Sequence, residues 1–101
     1  MDTTVRYSLT DDHRETLAEL YAGTWFGSDW DGDTLAGLLA GTDELVALCS
    51  DGTLVAFAHV LTDYATVAFV RDVVVSEDHR GEGLGRRLLA ELRAHPELEG
   101  V

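Results

Sequence analysis

Residues 73–92 read VVVSEDHRGEGLGRRLLAEL: a β-branched run, a charged turn, three glycines at alternate positions (Gly81, Gly83, Gly85), then leucines at helical spacing (Leu84, Leu88, Leu89, Leu92). Few folds accept that order, because a strand must pass through a glycine loop straight into a helix. Glycines at this spacing leave successive backbone N–H groups free of Cβ crowding. The first turn of the helix adds its own unpaired N–H groups and the positive end of its dipole. Such a junction suits a phosphate or pyrophosphate.

Two familiar phosphate loops do not fit. A P-loop needs a lysine after its second glycine, and the chain contains no lysine. The dinucleotide pattern G-x-G-x-x-G needs a glycine where Arg86 stands.

What fits is Arg-x-x-Gly-x-Gly, present as Arg80, Gly83 and Gly85 between VVVSEDHR and RRLLAEL. An ordinary glycine-rich βα turn would share the glycines. Strand, charged turn, hexad and amphipathic helix in one unbroken order closely resemble the acetyl-CoA-binding motif of the GNAT superfamily of N-acetyltransferases.

Composition narrows the classes. The chain has 101 residues, 46% of them apolar, which suits one small domain over residues 1–101 with little margin for its core. The start MDTTVRYSLT has neither a basic segment nor an apolar stretch, and no apolar run approaches the roughly 18 residues of a membrane span. A cytoplasmic protein without membrane contact is expected. Cys49, the single cysteine, lies in the apolar run LVALC, so no disulfide framework or cysteine metal site is expected, and no histidine or acid stands beside it in a recognisable motif. Net charge is −12, from 19 acidic residues against 7 arginines, which excludes a nucleic-acid binder. Excess acid without lysine is similar to the proteins of salt-loving organisms, whose surfaces repel one another unless salt screens them. Five of the seven arginines (Arg71, Arg80, Arg86, Arg87, Arg93) fall in the last third of the chain, around the glycine loop.

In chain order, Val5–Leu9 alternates as a strand, and Asp11 or Asp12 can cap a helix carrying Leu17, Leu20 and Tyr21 and ending near Gly23. TWFGSDWDGDT reads as an aromatic loop, after which Asp33 would cap a short helix ending at Gly41. A strand from Glu44 to Cys49, the hairpin signal Asp51-Gly52, a strand from Leu54 to Leu61, a turn at Asp63-Tyr64 and a strand from Thr66 to Val75 lead into the glycine loop. The predicted class is α/β, a GNAT-like mixed sheet in the order β-α-α-β-β-β-α.

That order resembles the N-terminal two-thirds of a GNAT domain over essentially the whole chain. The resemblance implies a further strand parallel to the fourth, yet the sequence reads HPELEG after the helix and stops at Val101. The expectation is a truncated form of a longer protein or a sheet completed by another chain. The tyrosine that in the family often protonates the departing CoA thiolate has no counterpart in this sequence.

The resemblance also implies the chemistry: direct transfer of an acetyl group from acetyl-CoA, the acyl donor, to an amine acceptor. Backbone groups of Val73 and Val75 would meet the pantetheine arm, and Arg80, Gly81, Gly83, Gly85 and Arg86 the pyrophosphate. Arg80 would either contact phosphate or pair with an acid such as Glu82; Arg86 and Arg87 are phosphate ligands or a solvated helix face. Asp72, the lone carboxylate within the fourth strand, is the candidate proton acceptor, against an ion pair with Arg71 or a structural hydrogen bond. His59 reads as a sheet histidine, His79 as a loop residue, and His13 and His95 as helix-surface residues. Trp25, Phe26 and Trp30 either wall the acceptor site or cap the core, and Asp29 and Asp31 beside them would suit a cationic amine. No metal site is expected. Besides a transferase, the sequence admits a non-catalytic CoA-binding module or a structural domain that dimerises through its exposed fourth strand. A homo-oligomer of weak activity is the expectation if the fourth strand's edge is bare.

Overall fold

The glycine-to-helix junction forms as its pattern requires. In a computed structural model, which describes residues 3–101, helix α3 spans Leu84–Arg93 and buries Leu84, Leu88 and Leu92, the stripe that i, i+4, i+8 spacing lays along one face. Each leucine so buried contributes about 1.5–3 kcal/mol. The surface that receives them is a four-stranded sheet in the order β1-β2-β3-β4, antiparallel at every pairing. Its strands are β1 (Thr3–Arg6), β2 (Glu44–Ser50), β3 (Thr53–Thr62) and β4 (Ala68–Val75).

Two helices, α1 (Asp11–Ala22) and α2 (Gly32–Gly41), cover the opposite face. Alternation along the strands divides the core into two layers. Val46, Leu48, Ala58 and Val60 face α3, while Ala47, Cys49, Phe57 and Val74 face Leu17, Leu20 and Tyr21 of α1 and Leu35 of α2.

Local chemistry sets most boundaries. Asp51 and Gly52 both take positive φ (52° and 83°), the geometry of a tight two-residue hairpin, and Ser50 pairs with Thr53 across it. The Asp63 carboxylate accepts from the N–H groups of Ala65, Thr66 and Val67 and from the Thr66 hydroxyl. That turn consumes Thr66 and Val67, so β4 begins at Ala68 rather than at Thr66.

Three other expectations are corrected. The first strand runs Thr3–Arg6, not Val5–Leu9, because the chain leaves the sheet at Tyr7, whose ring packs 4.4 Å from that of His95. Helix α1 starts after Thr10, whose N–H donates to His13 Nδ1, so His13 is buried in a capping contact rather than exposed. The cap of α2 is Asp31, which accepts from the Thr34 N–H at 2.8 Å; Asp33 lies inside the first turn.

Two residues interrupt the pairing. The register shifts between Leu48 and Cys49 leave Val55 extra on β3, and those between His59 and Val60 leave Arg71 extra on β4. The second bulge shapes the candidate site.

Candidate functional site

At the end of β4, the backbone turns through a short 3-10 segment and into the glycine loop. Gly81 and Gly83 adopt φ of 84° and 82°, a left-handed conformation that a side chain would strain. Gly83 is the N-cap of α3, and no side chain caps it. Among the described residues, no group accepts from the N–H groups of Gly81 through Arg86; the first bond of the helix is Arg87 N–H to the Gly83 carbonyl. No atom lies within 4 Å of where a Cβ would stand at Gly81, Gly83 or Gly85. The loop therefore presents a run of free donors on the positive end of a ten-residue helix, open to an approaching anion.

The arginines divide around it. Arg80 does not pair with Glu82; its guanidinium reaches the Gly23 carbonyl at 3.4 Å, at the end of α1. Arg87 lies along α3 near Glu91 and the Thr3 carbonyl. Arg86 is exposed in the first turn of α3, without an acidic partner among the described residues.

Ladder phase decides which backbone groups of β4 are free. Ser76 N–H donates to the Val55 carbonyl at 2.8 Å, and Val74 stands opposite Phe57. In an antiparallel pair such residues turn both polar groups toward the partner strand, so the alternate residues turn theirs away. Val73 and Val75 thus aim N–H and C=O outward along the free edge of β4, in line with the glycine loop.

Asp72, the residue before Val73, sends its side chain to the face that α1 and α2 cover. Its Oδ2 accepts from the Tyr21 hydroxyl at 2.8 Å and lies 2.8 Å from His59 Nε2, and His59 Nδ1 lies 2.8 Å from Thr42 Oγ1. The single Thr42 hydroxyl proton goes to the Leu38 carbonyl, also at 2.8 Å. His59 Nδ1 must therefore carry a proton and donate it to Thr42, and the Nε2–Oδ2 contact must hold a second one. One proton thus lies between His59 Nε2 and Asp72 Oδ2. Their side chains are 3% and 10% exposed, so this is a nearly dry polar network whose remaining open acceptor is Asp72 Oδ1. Burial and then the bond to Asp72 push the Tyr21 hydroxyl far above its ordinary pKa, which keeps it a donor.

This settles how Asp72 is held: its partners are His59 and Tyr21, not Arg71. Regular pairing continued from Val60 opposite Val70 would put Arg71 across from His59; the bulge at Arg71 brings Asp72 there instead. Tyr21 and Thr42 were absent from the sequence-level candidates. The one available hint was a tyrosine on the buried stripe of α1, where a hydroxyl needs a partner.

The aromatic loop divides as well. Trp25 is 92% exposed with its ring edge-on to that of Phe26, whereas Phe26 and Trp30 pack on the Tyr21 ring at 6.1 and 5.1 Å. Asp31 caps α2 through Oδ1 and is exposed to solvent. The buried His13 places Nε2 3.9 Å from Cys49 Sγ. Its Nδ1 accepts from Thr10, so the neutral ring carries its proton on Nε2 and cannot take one from the thiol. Burial also raises the Cys49 pKa, and the residue is an inert core thiol. His95 is buried too, against Tyr7 and within 3.5 Å of Glu44, rather than on a helix surface.

No helix among the described residues is long and apolar enough to cross a membrane. A family model described as the acetyltransferase (GNAT) family matches residues 4–101. This chain belongs to the GNAT acetyltransferase family, whose fold supports acyl transfer. Among solved structures, a protein of Xanthomonas campestris described as a GNAT-family acetyltransferase is 29% identical, with a TM-score of 0.76 over 96% of this chain and 70% of its own. The ribosomal-protein-S18-alanine N-acetyltransferase of Escherichia coli shares the fold at 23% identity and a TM-score of 0.75, over 92% of this chain and 58% of that one. Glucosamine-6-phosphate N-acetyltransferase of Arabidopsis thaliana does so at 18% identity and 0.73, over 99% and 78%. No curated protein matches the chain in sequence.

Proposed function

We propose that this protein transfers an acetyl group from acetyl-CoA directly to a primary amine. The observation that carries this reading is the arrangement along β4: outward backbone groups at Val73 and Val75 lead to the uncapped start of α3, and a carboxylate held from the same strand faces the other side. The pantetheine amides would bond Val73 and Val75 as an added strand does. The pyrophosphate would take the N–H groups of Gly81, Gly83, Gly85 and Arg86. Arg80 supports the loop through Gly23, and Arg86 adds charge beside it.

The amine nitrogen attacks the thioester carbonyl, the C–N bond forms and the C–S bond breaks. Asp72 Oδ1 collects the proton that nitrogen must lose, and the CoA thiolate takes its proton from water. Fixing both reactants on one strand supplies the orientation the reaction needs.

Calorimetry with acetyl-CoA, followed by mass spectrometry of a primary-amine panel, tests the reading. Binding with acetylated product is expected. Binding without turnover would leave a CoA-binding module, and no binding would leave a structural domain.

The bare edge of β4 supports one further part. Phe69 is 61% exposed and Val67, Val70 and Val73 are exposed near it, beside unpaired backbone groups. A second copy pairing edge to edge about a two-fold axis covers that surface. It would use the same outward groups of Val73 and Val75 as pantetheine, so the two must compete. Sedimentation should find a dimer that acetyl-CoA dissociates; a monomer at all concentrations, or a dimer indifferent to acetyl-CoA, would rule this pairing out.

A further inference from the structure

Beside the Asp72 network lies a cavity of about 320 Å³ between α2 and the β3–β4 ribbon, lined by Trp30, Thr34, Leu38, Thr42, His59 and Arg71 among others. Its size suits a small metabolite. We propose that the acceptor amine enters here and carries a second, anionic group, a carboxylate or a phosphate, which the Arg71 guanidinium binds. This inference rests on the transferase reading above and names its substrate class.

Three observations carry it. The first is the bulge. In an unbroken strand, residues 71 and 72 would face opposite sides, but the extra residue turns Arg71 toward α2, where it lines the cavity with His59 while Asp72 contacts the same histidine. Val70, its neighbour, lines the α3 side.

The second is the absence of pairing between them. Asp72 is turned inward to Tyr21 and His59, and no carboxylate among the described residues lies within 4 Å of the Arg71 guanidinium. Adjacent opposite charges on one face that do not join leave the guanidinium its full set of donors.

The third is the lining itself. The protein has 19 acidic residues in 101, yet none of the residues that line this cavity is an aspartate or glutamate. Its two ionisable groups are Arg71 and the proton-sharing His59. A cationic cavity in a chain of net charge −12 points to an anion. Distant surface carboxylates are screened beyond about 8 Å at physiological ionic strength, whereas Arg71 acts at contact. With the anionic end on Arg71, the amino end of a small molecule comes to the His59–Asp72 side, where the proton is taken.

Matched amines test this. Phosphoethanolamine and glycine should be acetylated with kcat/KM at least about tenfold above ethanolamine and glycinamide, and the ratio should collapse to near unity in Arg71→Gln and partly return in Arg71→Lys. Binding is read separately. In a Trp25→Phe background, Trp30 emission should respond to phosphoethanolamine and not to ethanolamine, whether or not turnover occurs. Equal kcat/KM for charged and neutral amines, a preference that survives Arg71→Gln, or a Trp30 response to ethanolamine alone would overturn the inference and leave the transferase reading standing. Failure of acetyl-CoA to bind would overturn both.

Discussion

Replacing Asp72 with asparagine is expected to lower acetyl transfer by about 10²–10⁴-fold, the usual contribution of a positioned proton acceptor, while the protein stays folded. Asparagine keeps most of the network. Its amide nitrogen can donate to His59 Nε2, now without the shared proton, and to the Tyr21 oxygen, whose hydroxyl gives up its carboxylate acceptor. What it lacks is a basic oxygen at the position of Oδ1. Asp72→Ala separates structure from chemistry: it strands the Tyr21 hydroxyl and the His59 ring, both in nearly dry surroundings. That costs about 2–4 kcal/mol, or about 10 °C or more in Tm for a domain of this size. Steady-state kinetics and thermal denaturation of both variants decide the matter. An Asp72→Asn protein with full activity would make the carboxylate a structural hydrogen-bond partner alone.

Gly85→Val is expected to lower acetyl-CoA affinity by about 100-fold or more, with Tm unchanged or slightly raised. Gly85 has ordinary helical φ, and a Cβ there meets nothing within 4 Å. Valine is also a better helix former than glycine, by a few tenths of a kcal/mol, ~0.3 on common scales. The fold has no reason to object. The branched side chain would occupy the space over the free N–H groups of the first turn, where a phosphate must come to hydrogen-bond distance. Gly81 and Gly83 are poorer probes, because a side chain at their positive φ costs about 1–2 kcal/mol by itself. Calorimetry beside thermal denaturation distinguishes blocking from unfolding. Wild-type affinity in Gly85→Val would remove the phosphate role from this loop.

Local chemistry alone determined much of this protein. The Asp51-Gly52 hairpin, the glycine loop and the leucine stripe of α3 depend on interactions within a few residues, and the element order β-α-α-β-β-β-α follows from such signals in series. Capping was legible in kind but not in position, since Thr10 competes with Asp11 and Asp31 with Asp33 within one turn of helix. The chemistry of the site was legible only in part. Asp72 stood out as a carboxylate in an apolar strand, but its partners lie 13 and 51 residues away, and no local pattern links them. Their meeting depends on one extra residue: without the bulge at Arg71, the register would set arginine rather than aspartate against His59. A one-residue shift exchanges the two faces of a strand, and packing against both helices, not the strand's own pattern, decides where that shift occurs. For the same reason the burial of His13 and His95, and the acid-free cavity around Arg71, are products of tertiary structure.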